Sequence, residues 1–210
     1  MLENSFRLLL GNYTYDGKTI DRYWNEINTC YSEPHRHYHT LSHLNHFLKE
    51  LTGIRTRLEN WTAILFALYY HDIIYDPLRS DNEERSAILA GESMKQIDVP
   101  DPVIAAAITS IMATRSHEIN DDSDVNYFTD ADLSVLGSCP DVYKAYCNDI
   151  RKEYGVYPDM MYWPGRKKML LDFLQRDRIF KTAFFYGKYE EQARINIKAE
   201  ILLINNGNPL

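Results

Sequence analysis

His71 and Asp72 stand at the end of the most apolar stretch of the chain, in which Trp61, Ala63, Ile64, Leu65, Phe66, Ala67, Leu68, Tyr69 and Tyr70 follow one another almost without interruption. A run of that kind without Gly, Pro or alternation reads as a helix buried on all sides. An imidazole and a carboxylate at its end are costly to bury unless they are paired or hold a metal. Two other segments offer partners. Residues 35–46 contain five of the seven histidines, namely His35, His37, His39, His43 and His46; Thr129-Asp130-Ala131-Asp132-Leu133-Ser134 supplies carboxylates. The resulting order, His … His-Asp … Asp, amounts to four N and O donors for a borderline-to-hard divalent ion such as Mn, Mg, Fe, Co, Ni or Zn. Such an ion lowers the pKa of a bound water and neutralises charge on phosphoryl oxygens.

Each candidate also has a plain structural explanation. His39 and His43 are four residues apart, which on a helix puts them on one face, facing either solvent or a polar cleft. Thr129 followed by Asp132 is a helix-capping pattern, so Asp132 is either a cap or a ligand. Asp76 precedes Pro77 and suits a turn. Glu83 ends the capping-box pattern Ser80-Asp81-Asn82-Glu83. His117 follows Ala113-Thr114-Arg115-Ser116 at a helix end, where its charge suits the dipole, and it is also a candidate phosphate contact. Arg36 and Arg115 are candidate phosphate clamps, because guanidinium meets phosphate oxygens as a bidentate fork.

The elements that must position these residues are all helical. Ile20, Tyr23, Trp24, Ile27 and Tyr31 have helical spacing, and Pro34 stops the pattern. A helix over 39–51 carries a leucine stripe (Leu41, Leu44, Leu48, Leu51) and, nearly opposite, a stripe of His39, His43, His46 and Glu50. The buried helix and His71-Asp72 come next, closed by Pro77. A helix opens at Ser80 and runs to about Gln96. Another begins at Asp101-Pro102, with Asp as N-cap and Pro in the first turn, and spans Val103 to Met112. A polar loop is expected from about Ser116 to Asn126, with Thr129 capping a helix that starts Asp130-Ala131-Asp132-Leu133. Periodicity returns after Pro140 through Tyr143, Tyr146 and Ile150, and two further helices cover about 165–186 and 188–205. The expectation is an all-α chain, one domain over residues 1–210 with about eight to ten helices, its site within about 36–137 and the helices of about 141–206 packed on it.

The order His … His-Asp … Asp resembles the HD superfamily of metal-dependent phosphohydrolases. Tyr38-His39-x-x-x-His43 and Ala131-Asp132-Leu133-Ser134 are similar to segments of the cyclic-nucleotide phosphodiesterases. That likeness implies His43, His71, Asp72 and Asp132 as metal ligands and His39 as the acid that protonates the leaving oxygen. Those enzymes have a further His where this chain has Tyr75. His71-Asp72-x-x-Tyr75-Asp76 is similar to the acidic motif of the guanosine tetraphosphate hydrolases, which implies Asp76, with Glu83 as the other candidate, as the group orienting the attacking water. Arg36-His37-Tyr38-His39-Thr40-Leu41, Asn82-Glu83-Glu84-x-Ser86-Ala87, Asp130 to Gly137, Gly165-Arg166 and Glu191-x-Ala193-Arg194 look like those of small stand-alone predicted HD phosphohydrolases. The implied activity is hydrolysis of a phosphate ester or anhydride of a small molecule, a nucleotide above all.

Composition bounds the partners. A net charge of −7 argues against a nucleic acid polymer, while a metal and local arginines can still attract a small phosphorylated substrate. The longest apolar stretch is shorter than the roughly 20 residues that span a membrane. The N-terminus lacks the basic start and long apolar run of a signal peptide. Cys30, Cys139 and Cys147 have no ligand spacing and read as buried thiols of a reducing compartment, so a cytoplasmic protein is expected. The C-terminal helices could serve a homodimer. Two rivals share the fold: a diiron oxygenase, which would need more histidines between Asp72 and Asp132 than the lone His117, and a regulatory module that keeps the pocket without turnover.

Overall fold

The computed structural model describes residues 2–207, and among these every regular element is helical. Ten α-helices follow in order: α1 Leu2–Leu10, α2 Gly17–Cys30, α3 Leu41–Gly53, α4 Trp61–Tyr70, α5 Asn82–Lys95, α6 Asp101–Ala113, α7 Ser123–Asp132, α8 Pro140–Glu153, α9 Asp159–Gln175 and α10 Ala183–Asn205, with 3-10 turns at Arg55–Arg57 and Leu133–Gly137. The chain packs as two compact units, one reaching to Thr129 and the other starting at Asp130. The division falls inside α7, whose helix is unbroken to Asp132.

The first unit is built around α4. Every residue from Ala63 to Tyr70 is buried, as an apolar run without a polar face requires. It packs against α1, α3, α5 and α6. Its start is fixed twice. The Asn60 side chain accepts from the Ala63 N–H, and the buried Asp124 carboxylate accepts from the N–H groups of Glu59 and Asn60 at 2.9 and 2.7 Å. Four otherwise orphaned donors open any helix, and a carboxylate there also meets the positive end of the dipole.

The second unit gathers α8, α9, α10 and the turn after Asp132. Arg166 of α9 and Glu200 of α10 form a buried fork, with Nε–Oε1 at 2.8 Å and Nη2–Oε2 at 3.1 Å. The Tyr143 hydroxyl and Cys147 thiol of α8 donate to the same carboxylate. Asn196 of α10 donates to the carbonyls of Leu136 and Ser138. Gly137 meets α10 so closely that a Cβ there would lie 2.5 Å from Tyr189 Cβ and 2.7 Å from its carbonyl oxygen.

Several expected boundaries move. The helix expected from His39 starts at Leu41 with Thr40 as N-cap, so His39 lies in the preceding loop. Asp81 rather than Ser80 precedes α5, and its carboxylate pairs with Arg79 instead of capping. Pro100, not Asp101, is the N-cap of α6. The last two helices divide at residues 176–182 instead of near 187, and Pro164 lies inside α9, where it removes one backbone hydrogen bond.

The largest correction concerns 116–132. The polar residues expected to form a loop to Asn126 supply the first turn of α7, with Asp122 accepting from the Asp124 N–H at 2.8 Å. Thr129 is therefore mid-helix, its hydroxyl bonded back to the Val125 carbonyl, and Asp130 and Asp132 end a helix rather than begin one.

Candidate metal centre

His71 is the C-cap of α4 and 1% exposed. Its Nδ1 lies 2.9 Å from the Leu68 carbonyl, which can only accept, so Nδ1 carries the proton and donates. Nε2 is then the acceptor of the neutral ring. That atom faces two further donors: His43 Nε2 at 3.2 Å and Asp72 Oδ2 at 3.0 Å. A lone pair aimed at a carboxylate oxygen is repulsive unless a proton or a cation stands between them. This is the arrangement of a ligating histidine whose other nitrogen is held by a backbone carbonyl.

His43 projects from α3 and is also buried. Leu44, Leu48 and Leu51 fill the core as the leucine stripe requires, but His43 and Glu50 on the opposite stripe are buried as well, so that face looks inward. Phe47 and Phe128 both pack edge-on against His71, with ring centroids 5.2 and 6.1 Å away. Two buried imidazoles with the Asp72 carboxylate beside them form a donor set that suits a divalent ion.

Asp72 also faces the loop before α3, its Oδ2 3.8 Å from His39 Nε2. His39 reaches the site from the loop before α3, not from a shared helical face; its ring lies 5.8 Å from that of His43 and packs, tilted by 33°, 4.3 Å from Tyr75. Tyr38 packs 4.9 Å from the His43 ring. Tyr75 thus gives His39 an aromatic neighbour.

Asp130 is fully buried and turned to α10: its carboxylate accepts from the N–H groups of Lys181 and Thr182 at 2.9 and 2.7 Å and pairs with the Lys181 ammonium at 3.1 Å. Burial lowers the Lys181 pKa, partly offset by Asp130. Asp130 therefore secures the start of α10, and the last residue of α7 is left to Asp132.

The other expected residues have different surroundings. Arg36, read from sequence as a phosphate clamp, has a side chain with 0% exposure and donates to the carbonyls of Asp72 and Ile73 and to Glu33. It cannot reach a substrate. Asp76 accepts from the Leu78 N–H at 2.9 Å and forms the turn before α5, while its backbone bonds Asn82. Glu83 lies in the first turn of α5. Arg115 is exposed just beyond α6, and His117 closes that helix end with φ 52°, a conformation His tolerates better than most residues.

Tyr31 was not anticipated from sequence. Its hydroxyl accepts from the Asp72 N–H at 3.2 Å, and burial holds its pKa well above that of a free tyrosine. Its place in the helical stripe marked it only as core. No family model, curated protein or solved structure matches this chain.

Proposed function

We propose that this chain is a divalent-metal-dependent phosphohydrolase acting on an ester or anhydride of a small phosphorylated molecule, with a nucleotide as the favoured substrate class, and that it belongs with the HD-type enzymes. The observation that carries the reading is His71: its proton is committed to the Leu68 carbonyl, and its other nitrogen faces His43 and Asp72. His43, His71 and Asp72 would hold the ion, with Asp132 the fourth ligand that the sequence likeness implies. When bound, the ion supplies an acidified water and neutralises phosphoryl charge.

The residues around it supply the rest. His39 stands beside Asp72 with its ring against Tyr75, and a histidine suits protonation of a leaving oxygen. Phe47 and Phe128 keep water from the buried side of His71, so its lone pair is not spent on solvent. The site of action is a cytoplasmic one in this reading, consistent with the finding that no described helix is long and apolar enough to cross a membrane.

The test joins metal analysis to hydrolysis. Purified protein should carry or take up one divalent ion per chain, melt higher with it by mass action, and hydrolyse a member of a phosphorylated metabolite panel. His71→Ala should lose both the ion and the melting shift. An unchanged ion content in that variant defeats the proposal.

A further inference from the structure

We propose that Arg36 is a positioning residue that staples the loop carrying His39 to the His71-Asp72 turn, and so holds the proton donor against the metal-binding carboxylate. The inference deepens the reading of His39 given above and rests on it. The Arg36 guanidinium spans both segments. Nη1 donates to the Asp72 carbonyl at 2.5 Å and reaches the His39 carbonyl at 3.5 Å; Nη2 donates to the Ile73 carbonyl at 2.9 Å; Nε donates to Glu33 at 2.9 Å. One planar group thus grips the residue after His71, the residue after that, and the loop only three positions before His39.

Two tyrosines that already touch the site lie against the guanidinium, its carbon 5.0 Å from the Tyr31 ring and 5.4 Å from the Tyr75 ring. Tyr31 in turn takes the Asp72 N–H, and Tyr75 is in ring contact with His39. His35, on the same loop, donates from Nε2 to the Tyr75 carbonyl at 3.2 Å. Arg36 and the two rings beside it therefore tie the His39 loop to the Asp72 turn. Simple charge pairing is the weaker account, because the Glu33 partner is 40% exposed and its attraction is screened. The geometry of the fork explains the arrangement better: a lysine ammonium is a point donor and cannot serve carbonyls and a carboxylate in one plane.

Arg36→Lys in the full chain tests this with two measurements. The first is the proton NMR position of the His39 ring, which the Tyr75 ring shifts upfield while the two are in contact. The second is turnover on a phosphate monoester with a poor alkyl leaving group against p-nitrophenyl phosphate, whose leaving group needs no proton. The expected result is loss of the upfield shift, with turnover on the alkyl ester falling roughly 10²-fold, as a small misplacement of a catalytic group produces, and a distinctly smaller loss on the nitrophenyl ester. An unmoved His39 signal, or equal losses on both esters, overturns the proposal. Should Arg36→Lys fail to fold, Glu33→Gln loosens only the Nε edge of the fork and must move the His39 signals in the same direction; signals that stay in place overturn it too. If the unaltered chain cleaves neither these esters nor any metabolite, the phosphohydrolase reading fails, and the His39 signals still decide the role of Arg36.

Discussion

Asp130 and Asp132 show how much two positions on one helix can differ. Asp130 is committed to Lys181 and Thr182, whereas Asp132, the last residue of α7, is the carboxylate that the sequence likeness assigns to the ion. Asp132→Asn should weaken divalent-ion affinity, measured by chelator competition at a pH where the histidines are neutral, with little change in the melting temperature of the metal-free chain. Asp130→Asn should do the reverse, costing about 1–3 kcal/mol as a buried charged acceptor is lost to its donors. Metal loss from Asp130→Asn alone would mean the register of the last ligand is wrong. His43 and His39 divide in the same manner. His43→Ala should lose the ion, while His39→Ala should keep it and lose roughly 10²–10⁴ in turnover, the usual contribution of a general acid. These expectations come from the sequence, where residue type and order alone point to a donor set. The burial of Arg36 was not legible there, since nothing in a sequence distinguishes a guanidinium that meets phosphate from one that meets carbonyls on a distant turn.

At the level of elements, the buried α4 was the most legible, because a ten-residue apolar run has only one way to satisfy its backbone and hide its side chains. The end of α7 was the least. A Thr three residues before an Asp has the pattern of a cap, but Thr129 bonds back to Val125 and continues the helix, an outcome decided by the Asp122 and Asp124 contacts upstream. The α9–α10 pairing was equally hidden, since Arg166 and Glu200 are 34 positions apart. Burial would raise the Glu200 carboxyl, and the Arg166 guanidinium more than offsets it, leaving it below the ordinary carboxylate value. A lowered carboxylate contributes stability above its unfolded pKa of about 4.3 and loses it as pH falls through the folded value. Glu200→Gln should thus destabilise the chain by about 3–5 kcal/mol at neutral pH, as expected for a buried ion left unpaired. Denaturant unfolding should show the gap narrowing as the pH drops below about 4. An undiminished gap at low pH would assign the loss to packing instead.

Over the whole molecule, the three thiols are unequal, contrary to the uniform burial expected from composition. Cys139 is exposed, Cys30 half-buried and Cys147 buried, and none is in a disulfide. Burial, with the neighbouring Glu200 carboxylate, pushes Cys147 up to about 12, so it holds its proton at any working pH. A thiol reagent at pH 8 should label Cys139 quickly and Cys147 only on unfolding, which mass spectrometry of the labelled peptides can follow; early labelling of Cys147 would mean that α8 opens readily. The contact at Gly137 has a consequence of a genetic kind. A methyl group there would collide with the backbone of Tyr189, not with the far end of a side chain that could swing aside. Relief must come from moving the turn or α10, and the strain is constant while the margin of stability shrinks with heat. An alanine at 137 should therefore behave as a conditional allele, giving folded protein in cells grown cool and degraded protein in cells grown warm, with the immunoblot signal falling before any loss of message.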